Sequence, residues 1–225
     1  MFSYDERVEH VINADSADTM TGEAILYFSR LLARLGVEHI VFGSTALQSY
    51  FPYCRRLPGD LDILIDEKDI PRIQNAALNE NYVRFIGHTV ACKLVYRENF
   101  YLHLVPKEMR IVDKVDDTVF TRVNLFFPDR TEPKCLRLIG FTEEIKLQVP
   151  VLEYLFCMHM NRALDSNTFS DYVSLLESYS LNVTLLEEFI ERVPLIGKVL
   201  ESRFEGLRKS LSIYRPDLLS RFPKV

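Results

Sequence analysis

The chain has 225 residues, and 48% of them are hydrophobic, which is enough to build the core of one large domain or of two small lobes. This composition excludes an intrinsically disordered chain. The formal net charge of −5 gives no generic attraction to duplex nucleic acid or to an anionic membrane, although a local basic patch is compatible with it.

The first part of the chain alternates between helix and strand. Apolar residues at three- and four-residue spacing indicate the helices, and short β-branched runs indicate the strands. The pattern predicts a helix over 21–35, a strand over 37–42, a helix over 45–51, a strand over 60–65 and a helix over 69–78. Further along, 89–96 and 100–105 read as a hairpin that turns at Arg97-Glu98-Asn99, and 119–126 and 134–149 are also strand-like.

After Pro150 the pattern becomes helical throughout. Helices are predicted over 151–163, 170–179, 184–193 and 195–211. We therefore expect an α+β protein, in which an α/β domain spans residues 1–150 and a helical domain spans residues 151–225.

Two aspartates open the strand predicted over 60–65. Residues two apart in a strand point to the same face, about 7 Å from each other. The carboxylates of Asp60 and Asp62 therefore project together, while Leu61 points into the core. Hard oxygen donors on one face suit Mg²⁺, with Mn²⁺ as the alternative, so we predict that Asp60 and Asp62 are metal ligands.

Gly43 and Ser44 lie between the strand over 37–42 and the short helix that follows it. Backbone N–H groups and the dipole at such a turn favour a phosphate, and glycine lets the backbone approach it closely. We predict that Gly43 and Ser44 bind a triphosphate. Tyr50 and Tyr53 are the aromatic candidates for stacking on a base.

The segments from Val41 to Leu47 (Val-Phe-Gly-Ser-Thr-Ala-Leu) and from Arg56 to Ile65 (Arg-Leu-Pro-Gly-Asp-Leu-Asp-Ile-Leu-Ile) resemble the signature of the polymerase-β-like nucleotidyltransferases. That signature is an apolar residue, Gly-Gly or Gly-Ser, a spacer, and Asp-apolar-Asp-apolar. More narrowly, the chain is similar to the AbiEii-like branch, with Arg56 at that branch's arginine position, and antibiotic nucleotidyltransferases share the general layout. The similarity covers about residues 23–180.

The resemblance implies a mixed sheet flanked by helices, followed by a helical lobe. It also implies Mg²⁺-dependent transfer of a nucleoside monophosphate from an NTP to a hydroxyl, with release of pyrophosphate. Arg56 would help to neutralise the phosphate charge. Three acceptors are open, namely an RNA or tRNA end, a protein side chain as in toxin–antitoxin systems, and a small molecule such as an aminoglycoside.

The third carboxylate of the family pattern is not identified in the sequence. Active members carry a third carboxylate on a later central strand, and the strand over 100–105 has Tyr101 or His103 on the expected face. His103 is therefore the candidate proton acceptor, or else a neutral core histidine, with Glu98 and Glu108 as acids in another register. The alternative function is a catalytically degenerate protein that binds nucleotide or a partner without turnover.

Several basic residues lie near the end of the chain and are either a solvated helical face or contacts for a tRNA-like acceptor. They are Arg203, Arg208, Lys209, Arg215, Arg221 and Lys224. The sequence shows no signal peptide and no apolar run near the roughly 18–20 residues of a membrane span. We therefore expect a cytoplasmic protein that does not enter a membrane.

Overall fold

The helices and strands alternate as far as Ile86, the described elements from there to Pro150 are mainly strands, and helices follow after residue 150. A computed structural model describes residues 16–52, 56–79, 83–86, 92–97, 100–107, 111–114, 120–123, 128–138, 140–160 and 166–222. The described helices are α1 (Ser16–Leu35), α2 (Gly43–Gln48), α3 (Ile70–Leu78), α4 (Leu152–Met160), α5 (Ser166–Ser178), α6 (Val183–Arg192) and α7 (Pro194–Tyr214). The described strands are β1 (His39–Phe42), β2 (Asp60–Ile65), β3 (Val83–Ile86), β4 (Cys92–Tyr96), β5 (Phe100–Pro106), β6 (Ile111–Lys114), β7 (Phe120–Val123), β8 (Thr131–Arg137) and β9 (Glu144–Pro150).

The chain divides into two compact units. The first, which we call the sheet unit, comprises residues 1–109 and 131–149, and the second, the helical unit, comprises 110–130 and 150–225. The main sheet of the first unit has the strand order β1-β2-β5-β4-β3. β2 and β5 are parallel and the other neighbours are antiparallel, so the sheet is mixed. Strands β8 and β9 form a separate two-stranded sheet.

One face of the central strands of the sheet unit packs into a hydrophobic core. Leu61 of β2 and Leu102 and Leu104 of β5 are all 0–1% exposed. Helix α1 contacts β5 on this side, where the rings of Phe28 and Phe100 stack with their centroids 6.4 Å apart. Because alternate strand residues point to opposite faces, this arrangement leaves the other face of β2 and β5 free to carry polar side chains.

The helical unit has its own core. Helix α4 packs against α6 and α7, and α5 packs against the turn Pro216–Leu218. Phe156 is fully buried, with its ring centroid 4.7 Å from that of Tyr172 and 6.0 Å from that of Phe204. Strands β6 and β7 pair antiparallel. None of the described helices is long and apolar enough to cross a membrane.

The expected α+β class, with a mixed sheet and a helical C-terminal part, is confirmed. The region 134–149, which the sequence predicts as strand-like throughout, contains two strands with a break that includes Gly140 at φ +83°. The four-residue strands β3 and β6 were not predicted, because runs so short carry little periodicity. Of the predicted hairpin, residues 89–91, Glu98 and Asn99 lie outside the described residues.

Candidate metal and nucleotide site

The pairing of β2 with β5 brings three potential metal ligands together. In this parallel register Asp62 lies opposite His103, and Asp60 lies opposite Tyr101. Nδ1 of His103 is 2.6 Å from Oδ1 of Asp62 and 3.8 Å from Oδ2 of Asp60. One donor atom from each of Asp60, Asp62 and His103 lies within 4.8 Å of the other two.

The three side chains differ in their access to solvent. The side chain of Asp60 is 37% exposed, that of His103 is 19% exposed and that of Asp62 is 9% exposed. Nδ1 of His103 and Oδ1 of Asp62 are within hydrogen-bond distance, and the tautomer of the ring decides which of the two atoms donates. Nε2 of His103 is buried and has no hydrogen-bond partner among the described residues. The ring therefore directs Nδ1 towards the two carboxylates.

This donor set fits a divalent cation. Two carboxylates that lie so close together repel each other when both are ionised, and a cation between them removes that cost. Carboxylate oxygens bind Mg²⁺ and Mn²⁺, while an imidazole nitrogen binds Mn²⁺ and the later first-row ions. Asp60, Asp62 and His103 are the residues that would hold the ion.

The glycine turn before α2 lies directly against one of these carboxylates. Gly43 has φ +68°, a left-handed conformation that side chains disfavour. A Cβ atom added to Gly43 would overlap Oδ2 of Asp62. Ser44 follows as the second residue of α2 and is half-buried. The predicted phosphate turn and the predicted metal ligand are therefore neighbours, and only glycine permits this close approach.

Buried polar residues of α2 fix the segment that leads into β2. Oγ1 of Thr45 donates to the backbone carbonyl of Asp60 at 2.8 Å, and Oε1 of Gln48 accepts from the backbone N–H of Arg56 at 3.4 Å. Thr45 and Gln48 are 1% and 0% exposed. Sequence reasoning missed both positioning residues, although polar side chains inside a short apolar helix are a signal that could have found them. Arg56 itself is half-buried, and its role stays a prediction.

The polar face continues from His103 onto the next strand. Lys93 of β4 is opposite His103 in the antiparallel register, and its Nζ is 5.7 Å from the ring centroid of Tyr101. Tyr101 is 37% exposed on the same face. Lys93 was missed from the sequence, although the hairpin turn predicted at 97–99 already implies a register that pairs it with His103.

One of the two aromatic candidates, Tyr50, lies within the described residues. Tyr50 is only 3% exposed, and its hydroxyl donates to Oε1 of Glu132 at 2.6 Å. Nζ of Lys134 lies 4.3 Å from the centroid of the Tyr50 ring, so these contacts give no support to stacking on a base, which stays a prediction. Tyr53, Glu98 and Glu108 lie outside the described residues.

Four of the basic residues near the end of the chain have partners within the helical unit. Arg215 pairs with Glu177 and Asp217, and Lys209 pairs with Glu205. The guanidinium of Arg221 donates to the backbone carbonyls of Leu176 and Glu177, and that of Arg208 lies 5.6 Å from the ring centroid of Phe222. These contacts agree with the solvated-face interpretation, since part of the positive charge is neutralised locally.

Comparison with known proteins shows the fold to which this site belongs. No protein-family model and no curated protein matches the sequence. Among solved structures, the chain is similar to an antigenic nucleotidyltransferase-like protein from Paracoccidioides brasiliensis, with 14% identity, a TM-score of 0.55, and coverage of 91% of this chain and 92% of that one. It is also similar to the lincosamide antibiotic adenylyltransferase LnuA with lincomycin bound, at 15% identity and a TM-score of 0.50, over 69% of this chain and 96% of that one.

The chain thus has the fold of these nucleotidyltransferases, which is the fold that the resemblance implies. Its assignment to the AbiEii-like branch stays a prediction.

Proposed function

We propose that the protein is a divalent-metal-dependent nucleotidyltransferase that moves a nucleoside monophosphate from an NTP to a hydroxyl and releases pyrophosphate. The observation that carries this proposal is the convergence of Asp60, Asp62 and His103 on one face of a nucleotidyltransferase fold. A divalent ion bound by this set, Mg²⁺ or Mn²⁺, would neutralise phosphate charge and polarise the α-phosphorus. A cytoplasmic location, where NTPs are abundant, accompanies the proposal.

In this proposal the chain contributes positioning and electrostatics. The Gly43 turn lies against Asp62, so backbone N–H groups and the Ser44 hydroxyl would bind the triphosphate beside the metal ligands. Thr45 and Gln48 fix the segment from Arg56 to Asp60 on α2, which sets the direction of the Asp60 side chain. Arg56 would neutralise charge on the phosphates.

The transfer is balanced without a covalent enzyme intermediate. The acceptor oxygen forms a bond to the α-phosphorus, and the bond from that phosphorus to the β-phosphate oxygen breaks, so that pyrophosphate leaves with the electron pair. The acceptor proton must pass to a base or to solvent. His103 occupies the position on β5 at which the third carboxylate is expected, and two roles suit it there, namely proton acceptor and additional metal ligand.

A second candidate function is a binding module that retains the fold without turnover. The specific observation in its favour is that an imidazole, and not a carboxylate, lies opposite Asp62. Its Nε2 is buried, so one of the two ring nitrogens is closed to an incoming acceptor. Nucleotide would then bind at Gly43, Asp60 and Asp62 and regulate contact with a partner.

Charge bears on which acceptor is used. The chain has a net charge of −5, and the helical unit pairs Arg215 and Lys209 with acids. Tight binding of an RNA end generally needs several unpaired cations that contact phosphates. We therefore place a small-molecule or protein hydroxyl ahead of an RNA end, and the fold similarity to an adenylyltransferase that has lincomycin bound agrees with a small acceptor. A toxin or defence role, as in the AbiEii-like branch, belongs to the protein-acceptor case.

Pyrophosphate release tests the proposal. Each of the four NTPs is incubated with Mg²⁺ or Mn²⁺ and with one of three acceptor pools. The pools are total RNA, a protein extract and a mixture of hydroxylated antibiotics. We expect release with one pool, and its absence in Asp62→Asn. Nucleotide binding with no release in any pool would instead establish the binding module.

A further inference from the structure

The orientation of His103 decides between its two roles. Nδ1 is the nitrogen that approaches both Asp62 and Asp60, at 2.6 and 3.8 Å, whereas Nε2 is buried. A base that serves an acceptor arriving from solvent needs an accessible lone pair. Nδ1 is the less enclosed nitrogen of His103, and it points to the space between the two carboxylates, where a shared metal ion would lie.

The spacing of the donor atoms agrees with ligation of a single ion. Ligands at about 2.1 Å from an octahedral ion are separated by about 3 Å when adjacent and by about 4.2 Å when opposite. The two distances from Nδ1 of His103, 2.6 Å to Oδ1 of Asp62 and 3.8 Å to Oδ2 of Asp60, are close to these values. Small side-chain rotations therefore suffice to bring Asp60, Asp62 and His103 onto one ion.

A nitrogen donor changes which ion the site prefers. Mg²⁺ is a hard ion that favours oxygen ligands and retains water, whereas imidazole suits manganese and the later divalent ions of the first transition row. A site of three carboxylates gives Mg²⁺ its preferred ligands, while a site of two carboxylates and one imidazole does not.

We propose that His103 coordinates the metal through Nδ1, and that the Asp60–Asp62–His103 site therefore selects a first-row transition ion such as Mn²⁺ over Mg²⁺. This inference rests on the proposed function for the biological use of the ion, but the selectivity is a property of the site itself. In its working form the protein would load nucleotide together with a transition ion.

Spectroscopy of bound Mn²⁺ tests ligation without any assay of turnover. The full-length protein is loaded with Mn²⁺ alone, and electron spin echo envelope modulation is used to detect a directly bound ¹⁴N nucleus. We expect ¹⁴N modulation in the wild type and its loss in His103→Asp. The matched control is His39→Gln, since His39 lies on β1 with its Nδ1 2.8 Å from the carbonyl oxygen of Val37, outside the site, and should keep the signal.

Selectivity is measured by competition between Mg²⁺ and Mn²⁺ in the same variants. We expect His103→Asp to lower the preference for Mn²⁺ over Mg²⁺ by about tenfold or more, because the substitution makes an all-carboxylate site. Bound Mn²⁺ without ¹⁴N modulation in the wild type overturns the inference, as does failure of the wild type to bind Mn²⁺. The wild-type spectrum keeps the test decisive even if His103→Asp does not fold.

The outcomes also separate this inference from the proposed function. Nitrogen ligation without pyrophosphate release in any acceptor pool leaves the metal site standing and removes the transferase activity. Pyrophosphate release with Mg²⁺ and no nitrogen ligation would leave the transferase activity standing and remove the proposed coordination by His103.

Discussion

Carboxylates in the two units of this protein meet different partners. In the helical unit, Asp129 accepts two hydrogen bonds from the guanidinium of Arg192, at 2.9 and 3.1 Å, and Glu188 accepts from Arg130 at 3.0 Å. Hydrogen bonds from these arginines hold the pKa of both carboxyls below the usual range. In the sheet unit, the partner of Asp62 is the imidazole of His103, whose Nδ1 lies 2.6 Å from Oδ1 of Asp62.

The difference separates structural carboxylates from candidate functional ones. Arginine keeps its charge at every working pH and binds carboxylate in a fixed geometry, so such a pair acts as a permanent link. Imidazole carries no permanent charge and is itself a metal ligand. The carboxylates of Asp129 and Glu188 are therefore already paired with permanent cations, whereas we propose that a divalent cation completes those of Asp60 and Asp62.

The largest expected effect is on turnover when a ligand of the site is removed. Asp62→Asn should lower the rate of pyrophosphate release about 100-fold or more, because it removes the proposed metal ligand, a buried carboxylate, and the charge that would position the ion. Asp66→Asn is the matched control, since Asp66 follows the same strand and pairs with Lys107 at 3.7 Å, away from the three candidate ligands. Equal losses of pyrophosphate release in Asp62→Asn and Asp66→Asn would contradict a special role for Asp62.

Glycine substitutions test the close approach of the turn to Asp62. Gly43→Ala should lower the free energy of unfolding by about 1–3 kcal/mol and weaken nucleotide binding, because the new Cβ overlaps Oδ2 of Asp62 in a left-handed backbone. Gly36 has a similar φ of +61°, but a Cβ there would meet no neighbouring atom. Gly36→Ala should therefore lower the free energy of unfolding and leave nucleotide binding unchanged. Gly59→Ala, with open space and no left-handed φ, should retain both. Unchanged nucleotide binding in Gly43→Ala would contradict the placement of the phosphate at this turn.

A smaller effect is expected from the hydrogen bond that links α2 to β2. Thr45→Val keeps the shape of the side chain but loses the 2.8 Å bond to the carbonyl of Asp60, so we expect a loss of about 1 kcal/mol in the free energy of unfolding. If Thr45 positions Asp60, metal affinity should fall as well, and Thr45→Ser should restore it. Metal affinity that is unchanged in Thr45→Val would make Thr45 purely structural. Chemical denaturation and Mn²⁺ titration measure the two quantities.

The smallest expected effect is a change in thermal stability when an ion pair of the helical unit is removed, with no change in metal affinity. A carboxyl whose folded pKa lies below its unfolded value contributes stability above the unfolded pKa, about 3.9 for aspartate, and loses it as the pH falls through the folded value. For Asp129 this pKa is lowered by the hydrogen bond from Arg192. Arg192→Gln should therefore lower the Tm modestly at about pH 7, and the difference from wild type should shrink below about pH 4.

Thermal unfolding followed from about pH 7 down to about pH 2.5 measures this difference, with Arg203→Gln on α7 as the charge-matched control. A Tm difference that stays constant across the pH range would show that Arg192 stabilises by packing alone. Metal affinity of Arg192→Gln should equal that of the wild type.

The parts of the site that lie within one local motif were predictable from the sequence. Asp60 and Asp62 share a face because strands repeat every two residues, and Gly43-Ser44 is a local break between a strand and a helix. The α+β class followed in the same way from the change of periodicity after Pro150.

The parts that depend on pairing between distant segments were not fixed by the sequence. Tyr101 and His103 lie on the same face of β5, so alternation alone cannot tell which of them is beside Asp62. The parallel register with β2 places His103 there and Tyr101 beside Asp60. The hydrogen bond from Thr45 likewise depends on where α2 lies against β2 in three dimensions.

Binding of a metal–nucleotide complex tests the central claim most directly, because both the transferase and the binding module require it. A non-hydrolysable NTP analogue is titrated calorimetrically into wild type and into Asp60→Asn and Asp62→Asn, with Mn²⁺ and with a chelator. We predict binding by the wild type that needs Mn²⁺ and is lost in both variants. Binding that persists with the chelator or in both variants would show that Asp60 and Asp62 are not the metal and nucleotide site.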